Sequence, residues 1–190
     1  MSFDFVAARN IMVDSQVRPN DVTDLAIQHA MRTVEREAFC PADKAYLAYA
    51  DCEIPYAPGR VLMRPRDVSK LIQTAKPRAG ERALTIAAPY AAAVLENMGL
   101  KVTRLEEGDL KAPPAGEYDV ILCEGSVAEV PKAWTAALAP GGRLVAVVLK
   151  GPAGKARLYT RAEDGVGYRE VFEAAPPLLA GFEPAAGFVF

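Results

Sequence analysis

The hydrophobic pattern of this 190-residue chain changes period near residue 80, and that change limits the available folds more than any other feature. Three short runs, "RALTIAA" (82–88), "YDVILCEG" (118–125) and "RLVAVVLKG" (143–151), are apolar with little alternation. Runs of this length and kind mark strands buried on both faces. Between them lie helical stretches. "PYAAAVLENMG" is closed by Gly99, and "EVPKAWTAALAPGG" ends in a Pro-Gly-Gly turn. "KVTRLE" (101–106) alternates as a strand does, and "ARLYTRA" and "YREVFEA" form an antiparallel pair around Asp164-Gly165. Strand-helix alternation followed by a hairpin predicts an α/β fold, a mostly parallel sheet with an antiparallel edge.

Before residue 79 the chain reads as helical. A stripe of Phe5, Val6, Met12, Val13 and Gln16 predicts a helix over 4–17, which Pro19 ends. Asp21 or Thr23 is placed to cap a second helix carrying Ile27, Ala30, Met31 and Val34 on one face. "KAYLAYA" (44–50) predicts a short third helix. Residues 52–63 read as extended with a turn at Pro58-Gly59, and a fourth helix starts at Pro65 and buries Val68, Leu71 and Ile72. The tail from Pro176 predicts a loop with a short edge. The expected organisation is one domain over 1–190, with a helical segment (1–78) preceding the sheet (79–190).

Composition removes several function classes. A net charge of -2 gives no electrostatic case for nucleic acid or an anionic membrane. No apolar run approaches the ~18 residues of a membrane-spanning helix, and the N-terminus lacks a secretory pattern. Three scattered cysteines (Cys40, Cys52, Cys123) suit a reducing cytoplasm. With His29 as the sole histidine, no metal site is expected.

In such sheets the ligand lies beyond the carboxyl ends of the strands, against the first strand-to-helix turn. An acidic residue ending the second strand then binds ribose hydroxyls. Glu106, 19 residues after Ala87, fits that second role. The turn itself is unusual. Ala87, Ala88 and Pro89 stand where glycines would allow close approach, alanine resists positive φ, and proline lacks an amide donor. Other candidates read as structural. Asp119 starts a strand, Ser126 lacks a nucleophile-elbow pattern, Cys123 and Trp134 suit the core, and His29 lies on a helix. Arg60, Arg64, Arg66 and Lys70 are close enough in sequence to form a cationic patch or a solvated helix start.

The pieces "VDSQVRPNDVTD", "AMRTVEREAFCP", "AYADCEIPY", "YDVILCEG" and "LAPGGRLVAVV", taken in order, resemble the protein-L-isoaspartate O-methyltransferase family in a bacterial branch, and "GFEPAAGFVF" resembles that branch's ending. The resemblance implies a Rossmann-like fold that binds S-adenosylmethionine and methylates an isoaspartyl carboxylate. Against it stand three departures. The family's D/E-x-G-x-G-x-G turn is replaced by "LTIAAPYAAAV". The family's active-site loop resembles T-I-S-Q-P, and "VLMRP" puts Met63 at the position of its serine or threonine hydroxyl; a thioether does not donate a proton. Only 11 residues separate Glu106 from Tyr118, too few for a helical crossover, so one αβ unit is expected to be missing. That shortening leaves two readings of Glu106: the ribose acid, or part of a later Gly-Asp landmark.

Two expectations follow. The first is a degenerate family member that keeps the fold, binds no cofactor and acts as a regulatory or interaction protein. Deleting a unit should then expose apolar sheet and favour a homodimer. The alternative is an active S-adenosylmethionine-dependent carboxyl methyltransferase. It uses Glu106 at the ribose and the backbone of Ala87 and Ala88 around the cofactor.

Overall fold

The computed structural model describes residues 4–184. Helix α1 (Phe5–Met12) is capped by Asp4, whose carboxylate accepts from the Ala7 amide at 2.9 Å. It widens into a π-helical turn (Val13–Val17) and tightens into a 3₁₀ turn (Arg18–Asn20) at Pro19. Met12 and Val13 are buried as expected, but Val6 is exposed. Helix α2 (Leu25–Thr33) is capped by Asp24, not by Asp21 or Thr23. Asp21 instead takes a left-handed conformation that reverses the chain. The "KAYLAYA" stretch lies in and just after a 3₁₀ turn (Ala42–Leu47) and is not an α-helix. Strands β1 (Ile54–Ala57) and β2 (Arg60–Leu62) form a hairpin across Gly59, and helix α3 (Pro65–Ala75) starts on its proline and buries Val68, Leu71 and Ile72.

The second half supplies strand β3 (Arg82–Ile86), helix α4 (Pro89–Asn97), strands β4 (Lys101–Leu105) and β5 (Tyr118–Val127), helix α5 (Lys132–Ala136) and strands β6 (Leu138–Lys150), β7 (Ala153–Ala162) and β8 (Gly165–Glu173). They pair in the order β4-β3-β5-β6-β7-β8, parallel from β4 to β6 and antiparallel from β6 to β8. This is the expected mixed α/β sheet. Helix α5 is shorter than its pattern implies, because "LAPGG" already belongs to β6. At Gly142 a Cβ would lie 2.7 Å from the Ala139 carbonyl, so the close strand approach requires glycine there. β4 is an edge strand, and residues 106–117 join it to β5 with neither helix nor strand. The αβ unit expected to be missing is missing.

Side chains of the central strands alternate between two buried clusters. Ala83, Val120, Leu122, Val145 and Val147 face α3, α4 and the N-terminal helices. Leu84, Ile86, Ile121, Cys123, Leu144 and Ala146 face the other side, with Trp134, Leu110, Leu179 and Phe182. On that second side the tail does the covering. It runs beside the end of β5, where Ser126 pairs with Leu178, the Ser126 amide reaches the Pro177 carbonyl and the Leu179 amide reaches the Ser126 carbonyl. Residues 185–190, part of the tail assigned from sequence, lie outside the described residues. The apolar surface expected to be left open is therefore largely covered by the chain itself. Exposed large apolar residues among those described include Val166, Tyr168 and Val171 on β8, besides Val6, Ile11, Leu25 and Tyr46 in the N-terminal segment.

Trp134 is fully buried, donates its indole N–H to the Leu110 carbonyl at 2.8 Å and packs 5.4 Å from the Phe182 ring. Trp134→Ala removes the contact that seats both the shortened connection and the tail. We expect a loss of about 3–5 kcal/mol and a melting temperature lower by roughly 10 °C, read by calorimetry.

Candidate functional site

The strand-to-helix turn after β3 lies at the carboxyl end of the parallel strands, as the fold requires. Ala87 adopts φ 48°, the left-handed conformation that glycine would take more easily. Such a conformation costs an alanine roughly 1–2 kcal/mol. Two hydrogen bonds hold it: the Ala87 amide donates to the Leu105 carbonyl at 3.0 Å, and the Tyr56 hydroxyl donates to the Ala87 carbonyl at 3.2 Å. Burial pushes the Tyr56 hydroxyl pKa well up, and Glu106 and Glu124 add to the shift, so Tyr56 stays protonated as a donor.

Helix α4 starts at Pro89 and has no side-chain cap of its own. Two carboxylates from elsewhere take its place. Glu106, directly after β4, lies near the Ala88 amide, which favours its charged form, and its Oε1 is buried with no hydrogen-bond partner among the described residues. Burial raises the Glu106 pKa; the Ala88 amide, Arg104 and Arg60 oppose that rise. Glu124, in the middle of β5, is wholly buried. Its Oε1 accepts from the Ala91 amide at 3.1 Å and its Oε2 from the Met63 amide at 3.0 Å. Burial pushes the Glu124 pKa up to about 7; Arg36 and the two amides pull it down, and Glu106 pushes it further up.

Glu106 directly follows β4, the parallel neighbour of β3. It stands at the end of the second parallel strand and touches the turn, the position expected of a strand-end acid. Met63 is fully buried, with its amide on Glu124 and its carbonyl accepting from Arg36 Nη2 at 2.6 Å. Ala88 and Met63 share one buried cluster, while Ala87 belongs to the other. A cleft of about 430 Å³ lies between residues 58–60, 108–111 and 179–182.

The remaining candidates are structural. Ser126 donates to the Pro176 carbonyl at 2.8 Å, the Asp119 carboxylate accepts from the Arg82 amide at 2.8 Å, Cys123 is buried in the core, and His29 is exposed on α2. Three of the four basic residues are engaged, and Arg60 lines the cleft between residues 58–60, 108–111 and 179–182. Arg64 pairs with Glu53 and Arg66 with Asp67, each at 2.9 Å, and Lys70 lies 4.9 Å above Phe172. Sequence reasoning missed Glu124, Arg36 and Tyr56 as site residues. For Glu124 the signal was present: a charge inside the apolar run "VILCEGSV".

Comparison with known proteins adds ancestry to this geometry. The model of the Protein-L-isoaspartate(D-aspartate) O-methyltransferase (PCMT) family matches residues 101–174. The chain is 35% identical to a Protein-L-isoaspartate O-methyltransferase of Methylorubrum populi over 206 aligned residues, covering 92% of this chain and 96% of the relative. The chain belongs to the protein-L-isoaspartate O-methyltransferase family. A Methylorubrum extorquens member is 32% identical, with 94% of this chain and 91% of that protein covered. The alignment to the Methylorubrum populi member is longer than this whole chain, so that methyltransferase has positions without a counterpart here. Among solved structures, a putative family member of Plasmodium falciparum in complex with S-adenosyl-L-homocysteine superposes with a TM-score of 0.74 at 13% identity, covering 90% of this chain and 97% of that one. Another family structure gives 0.69 at 19%, covering 92% and 65%. The fold is the Rossmann-like methyltransferase fold.

Two stability predictions arise from this site. Ala87→Gly relieves the left-handed strain and should raise the urea midpoint by the equivalent of about 1 kcal/mol with an unchanged slope. For Glu124, the folded pKa of about 7 exceeds the ordinary 4.5. The native state therefore holds the extra proton between these values, and the contribution of Glu124 to stability falls as pH rises through that window. Melting temperatures of the native chain and Glu124→Gln, compared across pH, should show this difference declining from about 4.5 to about 7 and flat above.

Proposed function

We propose that the chain is an S-adenosylmethionine-dependent methyltransferase acting on a protein carboxyl group, with the L-isoaspartyl carboxylate as the acceptor class. The observation that carries this reading is the Glu106 carboxylate. Its Oε1 is buried with no hydrogen-bond partner among the described residues, and the nearby Ala88 amide of the turn favours its charged form. A buried unsatisfied acceptor is costly, and a ribose hydroxyl pair is a ligand that would satisfy it. The residues present fit the cofactor in this respect. Glu106 would hold the ribose, and the backbone of Ala87 and Ala88 would pass the methionine side. The relatives' names and the S-adenosyl-L-homocysteine in the Plasmodium falciparum structure support the same reading.

The cofactor supplies a sulfonium-bound methyl group as the electrophile. The chain's own residues bind, align and exclude water. An acceptor carboxylate is ionised at neutral pH and needs no base, so alignment in a dry site supplies most of the rate. Ile86, Ala87, Cys123 and Leu179 belong to one buried apolar cluster beneath the turn. With Met63 in place of a hydroxyl, the acceptor loses one orienting donor, and slow turnover is expected.

One observation favours the second reading, a family member without methyl transfer. Met63 and Glu124 fill the interior beside the turn with the chain's own groups. Calorimetric titration with S-adenosylhomocysteine, followed by methyl transfer to an isoaspartyl peptide, separates the two. We expect micromolar binding, weakened about 10- to 100-fold in Glu106→Ala. Absence of binding would overturn the methyltransferase reading in favour of the second. We further propose a cytoplasmic homodimer. The free cysteines Cys40, Cys52 and Cys123 and the exposed β8 edge with Val166, Tyr168 and Val171 support it. A monomer by light scattering at working concentrations would overturn the dimer.

A further inference from the structure

The Glu124 carboxylate is held as a bound ligand is held. Its two oxygens are shared between backbone amides from separate segments: Ala91 in the first turn of α4 and Met63 after β2. The caps of α1 and α2 are local side chains, Asp4 and Asp24, whereas Glu124 reaches α4 from 33 residues away. Arg36 completes the surroundings. It grips the Ala48 carbonyl at 2.8 Å and the Met63 carbonyl at 2.6 Å, and its charge acts on Glu124. Two further donors here are fully buried without partners among the described residues, Arg36 Nη1 and the Tyr90 hydroxyl; the Arg36 guanidinium lies 4.7 Å from the Tyr90 ring. Helix α4 has nine residues, so its dipole also favours an anion at this end.

None of these donors belongs to Glu124 itself. The amides, the guanidinium and the hydroxyl would remain if its side chain were removed. We infer that Glu124 is a built-in occupant of a carboxylate-binding site formed by the Ala91 and Met63 amides with Arg36 and Tyr90, and that the vacated site takes a free small carboxylate. This inference rests on the Glu124 geometry alone and holds whether or not the chain transfers a methyl group. Its consequence for the chain is competition: a carboxylate ligand reaching this point must displace Glu124.

The test is chemical rescue. Glu124→Ala frees the buried Ala91 and Met63 amides, with Arg36 and Tyr90 nearby, and should melt lower than the native chain. Sodium formate should restore it along a saturating curve, raising the melting temperature by about 4 °C at about ten times its Kd. The native chain and Glu124→Gln, whose side chains still fill the site, should shift only as much as they do in sodium chloride of equal ionic strength. Formate no better than chloride on Glu124→Ala, or an equal formate shift in all three proteins, would overturn the inference. If Glu124→Ala does not fold in chloride, soluble yield is the readout. Recovery on refolding in formate supports the site; insolubility in both salts rejects it.

Discussion

From Val120 to Val127 every residue of β5 is buried, and the rest of the fold follows from the need to cover both faces of that strand. Helices α3 and α4 and the N-terminal elements cover one face. On the other, a five-residue α5 is too small to do so alone. Leu110 from the shortened connection, with Leu179 and Phe182 from the tail, supply the remaining apolar contact. A connection without helix or strand between β4 and β5 therefore does not leave an open hydrophobic sheet; distant parts of the same chain complete the core.

The same economy shapes the turn after β3. A glycine-free turn is compatible with close strand-to-helix geometry because neighbouring groups hold Ala87 in place. Each of the two hydrogen bonds on Ala87 is worth about 1 kcal/mol, comparable with the strain they oppose. Two carboxylates then lie near the N-terminus of α4, close enough for the Glu106 charge to disfavour that of Glu124. Arg36 and the backbone amides make that arrangement tolerable, and the raised pKa of Glu124 measures the remaining conflict.

Much of the architecture was legible from periodicity. The buried runs containing Leu84, Ile121 and Val145 became central parallel strands, and Pro65 opened α3. Cap identity was less legible. Asp21, Thr23 and Asp24 all have capping chemistry, and only the left-handed backbone at Asp21 decides among them. "LAPGG" misled because Pro140 and two glycines read as a turn, while tertiary pairing with β5 draws the segment into β6. In the site, Glu106 could be found from its spacing to Ala87. Arg36 and Tyr56 could not, since their partners, Met63 and Ala87, are 27 and 31 residues away and are met through backbone carbonyls that carry no sequence signal. Glu124 was visible as a charge in an apolar run, but its meaning depended on a helix end that only the folded sheet brings near.

The seating of Phe182 against Trp134 has a consequence for how the molecule is made. Synthesis proceeds from the N-terminus, so β5 emerges and can pair long before the residues that roof its second face. Ser126 meets Pro176 across 50 positions, a closure late in both time and sequence. Until the ribosome has passed Phe182, a nascent chain carries a formed but half-clothed sheet, and that interval is when chaperone capture and misassociation compete with folding.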